Sequence, residues 1–245
     1  MHAKIYMNVP YAQKEEAKAL GAKWDANVKK WFYEGEVKNF PKFGKWILEN
    51  EEECIIAYEN LCIIEGKQTC YKCKKETRVI GLGIREHSKL RLSDEYIIDD
   101  PDDTSEVEDE IFLAWVTSET DIPPLLLRYM KKHYNVKTGF SNQVGKCFAN
   151  HCEHCGSIQG NYHLFYGENS PISTMTPVES ELIDRMSRLK ICNIYTDAAL
   201  VLNWNMGYCS NDWAYTVYCK QFEDIILSEM SEELFIEYAE LYDLL

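Results

Sequence analysis

The sequence predicts an α+β protein that has a small N-terminal module and a larger domain containing a zinc ribbon and C-terminal helices. Three patterns predict this: strand, helix and strand signals at the start, two C-x-x-C pairs, and amphipathic helical periodicity toward the end. We expect the module at residues 1–48, a connecting segment at 49–68, and the zinc-ribbon domain at 69–245 with an acidic insertion at 93–110. A chain of 245 residues is long enough for two such units.

Short elements with clear ends make up the predicted N-terminal module. Residues 4–9 alternate as a β-strand does, and Pro10 ends the pattern. Residues 12–20 favour a helix, and Gly21 stands where a left-handed C-cap belongs. Residues 29–35 have the composition of a returning strand. The pattern therefore predicts a βαβ-like layout.

The module is the basic part of an acidic protein. Residues 1–50 contain nine Lys and six Asp or Glu, whereas the whole chain has a net charge of −14. Lysines interleaved with aromatic residues can hold a phosphate backbone while bases stack. The candidate nucleic-acid-binding residues are Lys14, Lys18, Lys23, Lys29, Lys30, Trp24 and Trp31. The alternative is that both tryptophans belong to the core and the lysines are only solvated.

Four of the ten cysteines form two C-x-x-C pairs, Cys70 with Cys73 and Cys152 with Cys155. A two-residue gap lets both thiolates of a tight turn face one tetrahedral zinc. The four residues therefore predict one structural Zn²⁺, because four thiolates fill the coordination shell and leave no position for a catalytic water. The other six cysteines stand singly among apolar residues, which is typical of buried thiols.

The residues around the two pairs predict a zinc ribbon. Strand-like residues 77–84 follow the first pair and residues 160–166 follow the second. Gly156 comes directly after the second pair, where a residue that tolerates positive φ helps the chain leave the turn. We expect His151 and His154 to remain outside the metal site, since each is adjacent to a ligand that already faces the metal.

The insertion at 93–110 carries ten acidic residues and no basic one. Such a run predicts an exposed, solvated loop. Two alternatives are a face that docks onto a basic protein and a mimic of phosphate groups.

Two helices are predicted near the end of the chain. Thr176, Pro177 and Glu179 have the spacing of an N-cap, a first helical residue and a capping-box glutamate. Apolar residues at steps of three and four predict a last, acidic helix; they are Leu234, Phe235, Tyr238, Leu241 and Tyr242. We expect that helix to dock on the core.

Several classes of protein are disfavoured by the sequence. The start lacks the pattern of a secretory signal, and no apolar stretch approaches the roughly 20 residues that cross a bilayer, so we expect a cytoplasmic protein without a membrane partner. Phosphate-loop, nucleophile-elbow and H-E-x-x-H patterns are not found.

One long motif carries a family resemblance. The pattern V-P-Y-x-x-K-x-x-A-K-x-L-G-A-x-W-D, followed by K-x-W, runs from Val9 to Trp31. Over about residues 1–45 the chain resembles a small uncharacterised domain of plasmid-conjugation primases and other mobile-element proteins. That resemblance implies a nucleic-acid setting and no defined activity. The part with the C-x-x-C pairs resembles zinc-ribbon regions of uncharacterised bacterial and phage proteins.

Taken together, these patterns predict a non-catalytic zinc-binding adaptor that contacts nucleic acid or a partner that handles nucleic acid. Single-stranded nucleic acid would bind the N-terminal module, and a basic protein could bind the acidic insertion. An acidic inhibitor or immunity-type protein that binds a protein target is the first alternative. An enzyme with an unrecognised site is the second.

Overall fold

The computed structural model describes residues 1–49, 51–58, 60–99, 110–166, 170–176 and 178–227. The strands are β1 (His2–Met7), β2 (Lys23–Asp25), β3 (Lys30–Glu36), β4 (Glu53–Ala57), β5 (Asn60–Thr69), β6 (Glu76–Ile84), β7 (His87–Leu92), β8 (Tyr96–Ile98), β9 (Phe112–Trp115), β10 (Val136–Ser141), β11 (Gly145–His151), β12 (Ile158–Gln159), β13 (Lys190–Thr196), β14 (Leu200–Leu202), β15 (Asn205–Met206) and β16 (Lys220–Leu227). The α-helices are α1 (Lys14–Ala19), α2 (Gly44–Ile47), α3 (Pro124–His133), α4 (Asn161–Phe165), α5 (Glu179–Ser187) and α6 (Trp213–Tyr218). The fold is therefore α+β, as the sequence predicts, and sheets dominate it.

The N-terminal module is an antiparallel three-stranded sheet in the order β1-β3-β2, with α1 beside it. The predicted first strand, helix and returning strand are present, and Gly21 has the left-handed φ of 103° that a C-cap requires. The layout differs from the predicted βαβ-like one. A third strand, β2, forms a hairpin with β3, and the Asp25 carboxylate accepts hydrogen bonds from the backbone N–H groups of Asn27 and Val28 in its turn. This hairpin reverses the chain, so β3 runs antiparallel to β1.

The largest sheet has six strands in the order β15-β9-β6-β5-β13-β16. Only the β13–β16 pair is parallel. Strand β5 lies in the interior of this sheet, and its neighbouring residues Ile63 and Ile64 belong to hydrophobic clusters on opposite faces. A strand buried on both faces has a continuous apolar sequence without alternation.

A four-stranded sheet, β14-β4-β7-β8, joins the module to the rest of the protein. Ile56 of β4 and Phe40 of the module are fully buried in the same cluster, and Ile5 forms a parallel bridge with Ala199. Residues 49–68, expected as a connecting segment, thus contain two core strands, β4 and β5. The predicted boundary at 48 runs through a shared hydrophobic core, and the one at 68 runs through β5.

Helices cover both faces of the six-stranded sheet. Met130 of α3 packs in the cluster on one face, and Leu164 of α4, Met186 of α5 and Tyr215 of α6 pack in the cluster on the other. The strand expected at residues 160–166 is wrong, because only β12 precedes a helical turn there. Adjacent Leu164 and Phe165 are both buried, which a surface strand with alternating side chains does not allow.

The start of α5 also differs from the prediction. The helix begins at Glu179, and the hydroxyl of Thr176 accepts a hydrogen bond from the backbone N–H of Val178 instead of capping the helix from the predicted N-cap position. Pro177, residues 100–109 of the acidic insertion and the last predicted helix, within 228–245, lie outside the described residues. Among the helices that the structure describes, none is long and apolar enough to cross a membrane.

Candidate metal centre

The two C-x-x-C pairs come together in space. The Sγ atoms of Cys70 and Cys155 are 3.7 Å apart, those of Cys73 and Cys152 are 3.6 Å apart, and all four sulfurs lie within 4.8 Å of one another. Four sulfurs at about 2.3 Å from one tetrahedral ion stand about 3.8 Å from each other. The cluster therefore fits one tetrahedrally bound metal ion, and no other group of three or more His, Cys, Asp or Glu ligands this close occurs in the described ranges.

Both pairs lie in turns with the same backbone conformation. In the first turn the N–H of Lys74 donates to the carbonyl of Cys70, and in the second the N–H of Gly156 donates to the carbonyl of Cys152, each at 2.9 Å. Lys74 has φ of 62° and Gly156 has φ of 69°. The predicted positive φ at Gly156 is confirmed, and a lysine adopts the equivalent conformation in the first turn.

The β5–β6 hairpin presents the first turn, and the small sheet β10-β11-β12 presents the second. The Asn150 side chain fixes one to the other, because its amide accepts from the N–H of Ile80 at 2.8 Å and donates to the carbonyl of Ile80 at 2.9 Å. Glu153, inside the second turn, forms a salt bridge of 2.8 Å with Arg78 of β6. Protein contacts therefore hold the two turns face to face in addition to any metal.

The surroundings favour ionised sulfur at part of the cluster. Burial opposes ionisation of Cys70, but the backbone N–H of Cys73 and the hydroxyl of Ser157 outweigh it and lower the pKa of the Cys70 thiol to about 5. The Ser157 hydroxyl, 3.1 Å from the Sγ of Cys155, also lowers the pKa of that thiol. The backbone N–H of Lys75 favours the ionised form of Cys73, but burial and the neighbouring thiols outweigh it and raise the pKa of this thiol to about 11. A cation at the centre would relieve that repulsion.

The flanking histidines have other hydrogen-bond partners. His151 Nδ1 lies 3.0 Å from the carbonyl oxygen of Ala149, and His154 Nε2 lies 2.8 Å from that of Glu76. Of the six single cysteines, Cys54, Cys62 and Cys192 are buried, and the other three, Cys147, Cys209 and Cys219, are partly buried.

The structure separates the lysines that the sequence groups in the module. Lys30 and Trp31 point to opposite faces of the sheet because side chains alternate along a strand. Lys23 pairs with Phe32, so it shares the face of Lys30. Lys18 lies on the other face, where its Nζ is 5.9 Å from the ring centre of Trp31. The candidate residues thus do not form one surface.

The aromatic residues of the module differ in exposure. Trp31 is 8 % exposed and belongs to the core, whereas Trp24, its cross-strand neighbour, is 52 % exposed. Lys14 Nζ lies 3.9 Å from the ring centre of the exposed Tyr11. Lys29 is exposed in the turn between β2 and β3. Trp24 is therefore the predicted tryptophan with a face available for stacking.

The described start of the acidic insertion, residues 93–99, adjoins the module. The ring of Tyr96 packs so closely on Gly44 that a Cβ atom at that position would lie 2.3 Å from it. Asp94 and Glu95 directly precede this contact. Two exposed acidic residues are therefore close in sequence to the point where the insertion contacts the module.

A large open groove beside the cysteine cluster was missed by the sequence reasoning. Its volume is about 1930 Å³, and it lies between the first turn, the β10–β11 hairpin and α5. These segments are far apart in sequence, so no local pattern brings them together. Phe140, next to the hairpin turn, is 75 % exposed, which only the structure shows.

Sequence comparison places the N-terminal module in a known group. Residues 4–47 match a domain of unknown function, DUF5710. A DNA primase TraC of Escherichia coli is 39 % identical over 54 residues, which are 22 % of this chain and 5 % of the primase. A second TraC primase of Escherichia coli is 46 % identical over 41 residues, or 17 % of this chain and 3 % of the primase. No solved structure matches this chain. The module is thus similar to a domain present in conjugation primases, as the sequence motif implies.

Proposed function

We propose that this protein is a non-catalytic, zinc-binding adaptor that contacts nucleic acid or a partner that handles it. The four-cysteine cluster is the observation that carries the proposal, since four sulfurs within 4.8 Å can fill the shell of one zinc ion. A filled shell leaves the metal no position for a reacting water, so its role is structural. The two turns and the strands that precede them support a zinc ribbon built from distant segments.

Similarity to the TraC primases supports the nucleic-acid part of the proposal. It concerns only the module and a few per cent of each primase, and it carries no activity to this chain. We propose the cytoplasm as the compartment, because zinc binds reduced thiols and a reducing compartment keeps cysteines reduced; the structure pairs none of the ten cysteines in a disulfide.

Metal analysis of the purified full chain tests the zinc part. We expect one zinc per chain, near-complete loss in the double variant Cys73→Ser with Cys152→Ser, and full retention in the control Cys147→Ser. Absence of zinc from protein purified without chelators, or equal loss in the control, contradicts the proposal. Iron bound instead of zinc would support the four-cysteine metal site and refute zinc as its metal.

Binding of a labelled single-stranded oligonucleotide to the zinc-loaded full chain tests the nucleic-acid part. We expect binding at low salt that weakens steeply as salt rises, because phosphate contacts release counterions. No binding at low salt would refute this part.

The alternative of an acidic inhibitor rests on the net charge of −14 and on the ten acidic residues at 93–110. It predicts a stoichiometric complex with a basic protein. A pull-down compared with a variant in which the insertion is neutralised distinguishes it from the adaptor.

A further inference from the structure

The groove beside the cysteine cluster has a charge opposite to that of the protein. Six of its lining residues are Lys or Arg and three are Asp or Glu, whereas the chain has 26 basic and 40 acidic residues. The basic residues are Lys67, Lys72, Arg185, Arg188, Lys190 and Lys220. They come from six elements or turns, so only the tertiary structure assembles them. An anion in this groove therefore meets more basic than acidic side chains, the reverse of the balance in the chain as a whole.

Part of this positive charge is balanced within the groove. Lys67 forms an exposed salt bridge of 2.8 Å with Glu76, and Arg188 forms one of 2.5 Å with Asp184. Exposed pairs of this kind contribute roughly 0 to 1 kcal/mol, so a phosphate can replace a carboxylate as the partner at little cost. Lys67 and Arg188 are thus available to a competing polyanion, whereas Lys190 lies 3.8 Å from the carboxylate of Glu65 and Arg185 donates a hydrogen bond to the carbonyl of Ser173.

Two exposed aromatic rings belong to the same groove. Phe140 is 75 % exposed and Tyr71 is 64 % exposed. Phe140 pairs across the hairpin with Lys146, which is also exposed and points to the same side of the sheet. An open aromatic face can stack on an unpaired base, whereas the bases of a duplex are already stacked on each other. The combination fits a single strand better than a duplex.

In the groove the cations and aromatic rings lie on one surface, whereas in the module they do not. In the module the candidate lysines lie on two faces of a sheet, and the acidic residues 93–99 adjoin it. In the groove, cations and rings line one continuous surface. Repulsion from carboxylates outside the groove is screened beyond about 8 Å at physiological salt, so the six basic and three acidic residues of the groove contribute most to binding.

We propose that this groove is the binding site for single-stranded nucleic acid, whose phosphates contact the groove cations and whose bases stack on Phe140 and Tyr71. The proposal rests on the nucleic-acid part of the proposed function and relocates the binding surface from the N-terminal module to the zinc-bearing part. The metal then has a defined purpose, because it fixes Tyr71 and Lys72, which lie between Cys70 and Cys73, against the opposite wall.

Fluorescence anisotropy with a labelled oligothymidylate of about 20 nucleotides, long enough to cover one such site, tests the assignment on the zinc-loaded full chain. Replacing Arg188 and Lys220 with Ala should weaken binding about tenfold and make the slope of log K against log salt shallower by about 1.4, since each phosphate contact contributes about 0.7. Phe140→Ala should weaken binding about tenfold by loss of stacking and leave the salt slope unchanged. The control pair Arg128→Ala with Lys132→Ala removes the same charge from exposed positions of α3.

A variant that binds more tightly cannot owe its effect to misfolding. Asp184→Asn removes a carboxylate from the groove and releases Arg188, so it should tighten binding several-fold. The same measurement with an oligoribonucleotide and with a duplex determines which kind of nucleic acid the groove prefers. Tighter binding of the duplex would overturn the stacking role of the rings.

Two outcomes separate the failure of this site from the failure of the proposed function. If Lys18→Ala with Lys23→Ala abolishes binding and the groove variants leave it intact, the groove assignment is wrong and nucleic-acid binding stands. If the unaltered chain binds no strand at low salt, the nucleic-acid function fails, and the groove assignment fails with it.

Discussion

Loss of the metal should destabilise the protein by an amount set by the distance between the two cysteine pairs. In sequence, 79 positions separate Cys73 from Cys152. The folded chain presents all four sulfurs together, whereas an unfolded chain that holds the metal on one pair must close this loop to bring in the other. Closing a loop of this length costs about 4.5 kcal/mol in chain entropy. The metal therefore favours the folded state by about this difference.

The corresponding change in melting temperature is measurable. For a chain of this size each kcal/mol shifts the midpoint by about 2 to 4 °C, so complete removal should lower it by about 9 to 18 °C. Protein contacts such as those of Asn150 remain after metal loss. We therefore expect β10, β11 and β12 to open first, while the six-stranded sheet keeps its protection.

Differential scanning calorimetry on metal-loaded, chelated and reloaded protein provides the measurement, with hydrogen exchange to locate the opening. The variant Cys73→Ser with Cys152→Ser should match the chelated protein, and Cys147→Ser should match the loaded one. An unchanged midpoint after verified metal removal, or an equal shift in the control, would refute this reasoning.

Three further predictions concern single residues. Gly156→Ala should lower the free energy of unfolding by about 1 kcal/mol, because alanine is strained at the φ of 69° there; the added Cβ meets no atom within 4 Å, so it causes no clash. Gly160→Ala is the control, since φ at Gly160 is negative, and it should be nearly neutral in the same urea titration. Hydrogen bonds from Lys131 and Thr138 lower the pKa of Glu119 to about 2. The ionised carboxylate therefore stabilises the fold above pH 4.5, and this contribution is lost as the pH falls toward 2. Glu119→Gln should accordingly destabilise the protein by about 1 to 2 kcal/mol at pH 7 and by little near pH 2. Ile56→Ala, in β4, should lower the free energy of unfolding by about 2 to 5 kcal/mol. Because Ile56 belongs to the core shared by the module and the rest of the chain, proteases should cleave both parts at the same denaturant concentration; cleavage of the two parts at different concentrations would show that their cores are independent.

The chain determines by itself those features that depend on a few neighbouring residues. Residues 4–9, Pro10 and Gly21 specify the first strand and the end of α1 through alternation, a missing N–H and a tolerated positive φ. The spacing of Cys70 and Cys73 likewise specifies a turn that faces a metal, because a two-residue gap fixes the direction of both sulfurs.

Features that depend on long-range contacts escape such reasoning. Residues 60–69 form an interior strand whose apolar run lacks alternation, so local patterns do not distinguish it from a linker or a buried helix. Lys23 and Lys18 are five positions apart in sequence yet lie on opposite faces of a sheet, which only strand pairing decides. The β-sheets bring distant segments into contact, and this contact creates both the pairing of two cysteine turns across 79 positions and the basic groove beside them. A sequence pattern with a period of two or four residues does not show which segments will meet.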